Sequence, residues 1–198
     1  MGMWLFLVTE IMFFGGMFCA YLVYRFSYFN AWDAGSQHME IMWGAINTVV
    51  LICSSLTMVL AVHAAKAGDK RMIVMFLGFT ILLGLAFLGI KGIEYTSHWN
   101  HHEVPGLNWA WESQGNYDPR NVAIFFSLYF VMTGMHAIHM IIGIGLLIWL
   151  TIRAQKGDFT AEYNSPVEMT GLYWHFVDVV WIYLFPLLYL VSHHHHGG

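Results

Sequence analysis

The sequence predicts an all-α, polytopic membrane protein with five transmembrane helices. Three observations carry that reading. Of the 198 residues, 58% are hydrophobic and only 10% are charged, against the roughly 25% charged residues of a soluble domain. The apolar residues gather into runs long enough to cross a hydrocarbon core of about 30 Å, which takes about 20 residues of helix. Charged residues collect in the connections, as in Lys66–Arg71 and Arg153–Glu168.

Other classes are excluded on the same grounds. A formal charge of −4, with the eight Lys and Arg scattered along the chain, gives no basic patch for nucleic acid. Cys19 and Cys53 both fall inside apolar runs, and with no CxxC motif they read as small buried residues. No cleavable signal is expected, because the first apolar run starts at Met3 without a basic stretch and contains Glu10.

The first span covers about residues 3–25. Its Gly15, Gly16, Cys19 and Ala20 form a small-residue patch where another helix could approach. Glu10 lies about 10 Å from its start, and the aromatic stretch Phe26–Trp32 fits a loop at the membrane interface. The second span, 42–65, carries Asn47, Thr48, Ser54 and Ser55 as interhelical hydrogen-bonding groups. After a polar turn at Lys66–Arg71, the third span covers 72–95 and ends on Lys91, Glu94 and Tyr95. The segment Thr96–Arg120 is polar, rich in His and Trp, and broken by Pro105 and Pro119.

The fourth span, 121–152, would reach about 45 Å as helix, so it should tilt or project from the bilayer. The fifth covers 169–191. The whole chain, 1–198, reads as one transmembrane domain without an internal repeat. Lys66, Lys70, Arg71, Arg153 and Lys156 lie on one side of these spans, and Arg25, Lys91 and Arg120 on the other. That asymmetry places the N-terminus in the cytoplasm and the C-terminus outside.

Ionisable residues inside the spans are the candidates for chemistry, since each costs roughly 2.5–3.5 kcal/mol at a helix centre on insertion scales. His175 and Asp178 are three apart, on one helix face, flanked by Trp174 and Trp181. His136 and His139 fall at a similar depth in the preceding span. These residues could hydrogen-bond as structural glue between helices, serve a lipid or proton-related role, or ligate a cofactor such as a bis-His heme. His98, His101 and His102 form an HxxHH, like one histidine box of membrane di-iron desaturases. A self-sufficient membrane metalloenzyme of the di-iron or di-heme type is therefore the alternative reading. Glu10 has no Lys, Arg or His at nearby depth in its own helix, which marks it for proton handling or for a hydrogen bond in a lipid-filled cleft. The terminal run His193–His196 is assigned no function.

Four motifs add a resemblance. Trp4–Phe14 (WLFLVTEIMFF), Glu94-Tyr95, Phe130–Gly143 (FVMTGMHAIHMIIG) and Tyr173–Trp181 (YWHFVDVVW) follow one another along the chain. Together they resemble the subunit III family of cytochrome c oxidase, in its five-helix form that lacks two N-terminal helices of the seven-helix form. The resemblance implies an accessory subunit of a bacterial heme–copper terminal oxidase in the cytoplasmic (inner) membrane, with hemes and coppers in partner subunits and no metal or cofactor of its own. It implies packing against catalytic subunit I and support of assembly and sustained proton uptake. It also implies bound phospholipid in a V-shaped cleft between a two-helix and a three-helix bundle. Glu10 would face that cleft. His136, His139, His175 and Asp178 would form the polar core of the larger bundle, and Lys91 and Glu94 would lie at the outer rim. The electron donor, cytochrome c or quinol, stays open. The Thr96–Arg120 loop matches no motif and would suit a contact with a quinol-oxidising complex in a supercomplex.

Overall fold

The computed structural model describes residues 2–37, 41–100, 103–104, 108–109, 118–157, 159 and 163–189. Among these residues, five helices are long and apolar enough to cross a membrane: α1 (Gly2–Ser27), α3 (Ile41–Ala67), α4 (Lys70–Asn100), α5 (Pro119–Lys156) and α6 (Ser165–Tyr189). A short helix, α2 (Phe29–Gln37), follows α1, and two-residue strands β1 (Glu103–Val104) and β2 (Asn108–Trp109) pair antiparallel, Glu103 opposite Trp109. His101, His102 and the terminal His193–His196 lie outside the described residues.

Local chemistry sets the helix ends. At the end of α3 the Gly68 and Asp69 N–H groups donate to the Ala65 and Ala64 carbonyls, with Gly68 at φ 72°. This is the left-handed cap that glycine adopts without a Cβ clash. Asp69 then caps α4, its carboxylate accepting from the Arg71 and Met72 N–H groups at 3.1 and 3.2 Å. Asp118 does the same for α5, accepting from the Arg120 N–H at 2.9 Å, with Pro119 in the first helical position where no N–H is needed.

Two helices outrun their expected ends. α4 continues through Thr96–Asn100, where the Thr96 hydroxyl bonds back to the Gly92 carbonyl and no proline interrupts. α5 has 38 residues, about 57 Å. The aromatic stretch expected as a loop is partly α2, because Trp32 is fully buried.

The chain forms two compact units. The first comprises Met1–Ala45, Lys91–Met135 and Ile182–Gly198; the second comprises Ile46–Ile90 and His136–Trp181. In the first, α1 buries only Leu7, Phe14 and Tyr21, a stripe repeating every seven residues. The Tyr21 hydroxyl donates to the Leu187 carbonyl at 2.8 Å. Its ring meets Trp32 and Phe125 at 5.8 and 6.3 Å between centroids. A Cβ built at Gly15 or Gly16 would meet nothing within 4 Å, so the small-residue patch of α1 receives no helix among the described residues. At Gly44 of α3, a Cβ would fall 2.7 Å from the Phe185 ring of α6.

The second unit packs the same pair of helices against each other. Gly171 of α6 lies against Val62 and Met58 of α3, 3.0 and 3.4 Å from a Cβ built there. Trp174 and Trp181 donate to Ser54 and Thr48 at 3.0 and 3.2 Å. In lipid, hydrocarbon competes equally for apolar side chains, so small residues and interhelical hydrogen bonds decide which helices meet. The second span therefore packs directly on the last span in both units.

Candidate functional site

In the first unit, α4, α5 and α6 join through one buried network. Lys91 and Glu94 are 5% and 7% exposed, with Lys91 Nζ 2.7 Å from Glu94 Oε2. Lys91 Nζ also donates to the Tyr189 hydroxyl at 2.6 Å. The other carboxylate oxygen, Oε1, accepts from the Tyr129 hydroxyl at 2.7 Å and from the Tyr189 hydroxyl. Tyr95 bonds Thr133 at 2.5 Å, and Thr133 donates to the Tyr129 carbonyl at 2.6 Å. His98 packs on the Tyr129 ring, 5.5 Å between centroids.

Charge-assisted bonds of this kind are the strong ones, and a buried ion pair endures only when its remaining lone pairs and protons are satisfied. Here both carboxylate oxygens have donors. Lys91 and Glu94, expected at the outer rim of their helix, are covered by protein on all sides of the pair. His98 is likewise buried.

The sequence reading missed Tyr129 and Tyr189. Their signal was present, since a phenol inside an apolar span needs a hydrogen-bond partner. Its partner lay 35 and 95 residues away respectively, beyond the reach of local spacing.

The second unit holds His136, His139, His175 and Asp178, in contacts other than those expected. His136 is buried, its ring 5.5 Å from Phe87 and 5.3 Å from Trp181. His139 contributes its backbone carbonyl, which accepts from the Tyr173 hydroxyl at 3.0 Å. His175 pairs through Nδ1 with the Ser55 hydroxyl of α3 at 2.7 Å. Asp178 is 3% exposed, and neither carboxylate oxygen makes a hydrogen bond among the described residues. The Ser55 hydroxyl is the hydrogen-bonding group beside it. The His–Asp hydrogen bonds expected between the last two spans are therefore not formed. Nor is Ser55–His175–Asp178 a nucleophilic triad, in which a carboxylate must orient the imidazole.

Glu10 is half-buried, three residues from Leu7 and so at the border of the α1 stripe. Among the described residues, no three His, Cys, Asp or Glu side chains gather as a metal site would need.

Comparison with known proteins fits this arrangement. The chain matches the family model for cytochrome c oxidase subunit III over residues 1–101 and 119–193. The unmatched stretch falls in the loop for which no motif was found. It is 33% identical over 193 residues to cytochrome c oxidase subunit 3 of Thermostichus vulcanus, covering 97% of this chain and 87% of that one. It is 31% identical to quinol oxidase subunit 3 of Bacillus spizizenii, covering 97% and 86%. It is 33% identical to cytochrome bo(3) ubiquinol oxidase subunit 3 of Pseudomonas aeruginosa, covering 96% and 84%. A match of this extent, on a chain with five apolar helices, establishes that the protein belongs to the cytochrome c oxidase subunit III family.

Proposed function

We propose that this chain is an accessory, non-redox subunit of a bacterial aerobic heme–copper terminal oxidase, which reduces dioxygen to water and pumps protons. The carrying observation is the family match over nearly the whole chain. In this reading it sits beside catalytic subunit I in the cytoplasmic membrane, and hemes and coppers belong to the partners. It supports assembly, binds phospholipid along its apolar helix faces and sustains proton uptake. Relatives named for cytochrome c and for quinol oxidation are similarly close, so both donor classes fit. Burial of Lys91 in an ion pair compensates its charge within the protein. That strengthens the cationic bias of the opposite side and supports a cytoplasmic N-terminus. The loop after α4 is proposed to meet a quinol-oxidising complex, to be tested by cross-linking the intact assembly.

Glu10 is proposed as the proton-related residue. In the assembled oxidase, Glu10→Gln is expected to lower sustained turnover while leaving the heme spectra unchanged. Altered heme spectra would argue against an accessory role. Purifying the chain alone separates the metalloenzyme alternative: stoichiometric iron, copper or heme together with activity would overturn the subunit reading.

A further inference from the structure

The second unit presents one lateral face that pure lipid would solvate poorly. His175 lies ten residues into α6 and Ser55 fourteen residues into α3, about 15 and 21 Å from the helix starts and so near mid-span. Both side chains are half-exposed. Ser55 engages Nδ1 of His175, and among the described residues Nε2 has no hydrogen bond. Around this polar pair the face is apolar and exposed: Ile52, Leu56 and Val59 on α3, Leu172 and Val179 on α6. By contrast, the exposed faces of α4 and α5 in this unit, at Phe79, Leu82 and Leu85 and at Ile138, Ile141 and Ile142, present aliphatic and aromatic groups suited to acyl chains.

A polar ring nitrogen at mid-span faces protein or an aqueous cavity, because hydrocarbon offers it no partner. Apolar surroundings on both helices argue against a water-filled passage here. Resting on the reading of the chain as an oxidase subunit, we infer that the α3–α6 face centred on His175 and Ser55 docks a transmembrane helix of another oxidase subunit. That helix carries a hydrogen-bonding side chain opposite His175 Nε2. The Ser55 bond fixes the imidazole orientation in advance, so the partner meets a preset group.

Photo-crosslinking in the native membrane tests this, with the photoreactive side chain placed at Leu172 or Val179 and, as controls, at Leu82 or Ile141. His175 stays intact in these variants. Expected are covalent adducts between this chain and another oxidase subunit from 172 and 179, and lipid adducts alone from 82 and 141. Lipid adducts alone from 172 and 179, or adducts with a second copy of this chain, would overturn the inference. In parallel, His175→Leu is expected to reduce the ratio of this chain to heme in the detergent-purified oxidase about three- to tenfold, with His175→Gln restoring part of it. If the wild-type chain does not copurify with heme, the subunit reading fails as well. If it copurifies but crosslinks only to lipid, the docking face alone fails.

Discussion

The two compact units handle intramembrane polarity in different ways. In the first, Lys91, Glu94, Tyr129 and Tyr189 satisfy one another across three helices. In the second, Asp178 makes no hydrogen bond and Asn47 is fully buried with neither amide atom bonded among the described residues, while His175 reaches only one partner. A saturated network is what a folded bundle needs to hold itself together. A partly satisfied one is more costly to the chain, and of its members only the half-exposed His175 can reach a group outside the unit. The polar pin of the first unit is therefore the Lys91–Glu94 network, and in the second unit Asp178 and Asn47 are the buried groups left unbonded among the described residues.

The largest effect should come from breaking that pin on one side. Glu94→Ala leaves the Lys91 ammonium buried without its carboxylate and should destabilise the protein by about 3–5 kcal/mol, read as loss of the chain from the purified complex or a lower unfolding temperature. The double variant Lys91→Met/Glu94→Gln removes both charges and keeps an amide for the two tyrosines, so it should recover most of that loss. No recovery would mean that hydrogen bonding or volume, not charge, governs the site.

A smaller effect is expected where α3 meets α6. Gly44→Ala forces a Cβ to within 2.7 Å of the Phe185 ring and 3.2 Å of Tyr189, and overpacking of this kind costs about 1–3 kcal/mol. A neutral outcome would mean that the Phe185 ring moves aside without cost. Smaller still should be Asp178→Leu. Replacing an unbonded buried carboxyl by an apolar group of similar shape is near neutral or stabilising, within about 1 kcal/mol. A loss beyond 2 kcal/mol in the assembled oxidase but not in the isolated chain would show that a partner completes Asp178.

The contrast also explains what could be read from the chain in advance. The spans were legible because runs of apolar residues and the Lys66–Arg71 turn are local signals. Trp174 and Trp181 announced a functional face of α6 at helical spacing, and both do bond α3. The pairing of Asp178 was misjudged because equal depth on two helices says nothing about rotation: His136 turns its ring onto Phe87 and Trp181 instead. The rim position of Lys91 and Glu94 came from the resemblance, which says nothing of what covers the pair. Only the two distant tyrosines that cover them make burial affordable. The split into two bundles came from the resemblance alone, while Gly44 and Gly171 mark, within each unit, where α3 and α6 approach closely.

The last test compares two ion pairs of the same chemistry. Lys66 Nζ lies 2.8 Å from Glu168 Oε1, nearly the separation of Lys91 from Glu94, yet its side chains are 59% and 39% exposed instead of 6% and 6%. Exposed pairs are weakened by solvent and by the entropy of holding two long side chains, and contribute about 0.2–1 kcal/mol. Lys66→Ala should therefore shift stability by no more than that, and raising the salt concentration should erase much of the difference from wild type. The Glu94→Ala defect should persist at the same salt, since its charges are shielded from ions by protein. Equal salt sensitivity in the two variants would mean that water reaches the Lys91 network, and the distinction between the two units would lose its physical basis.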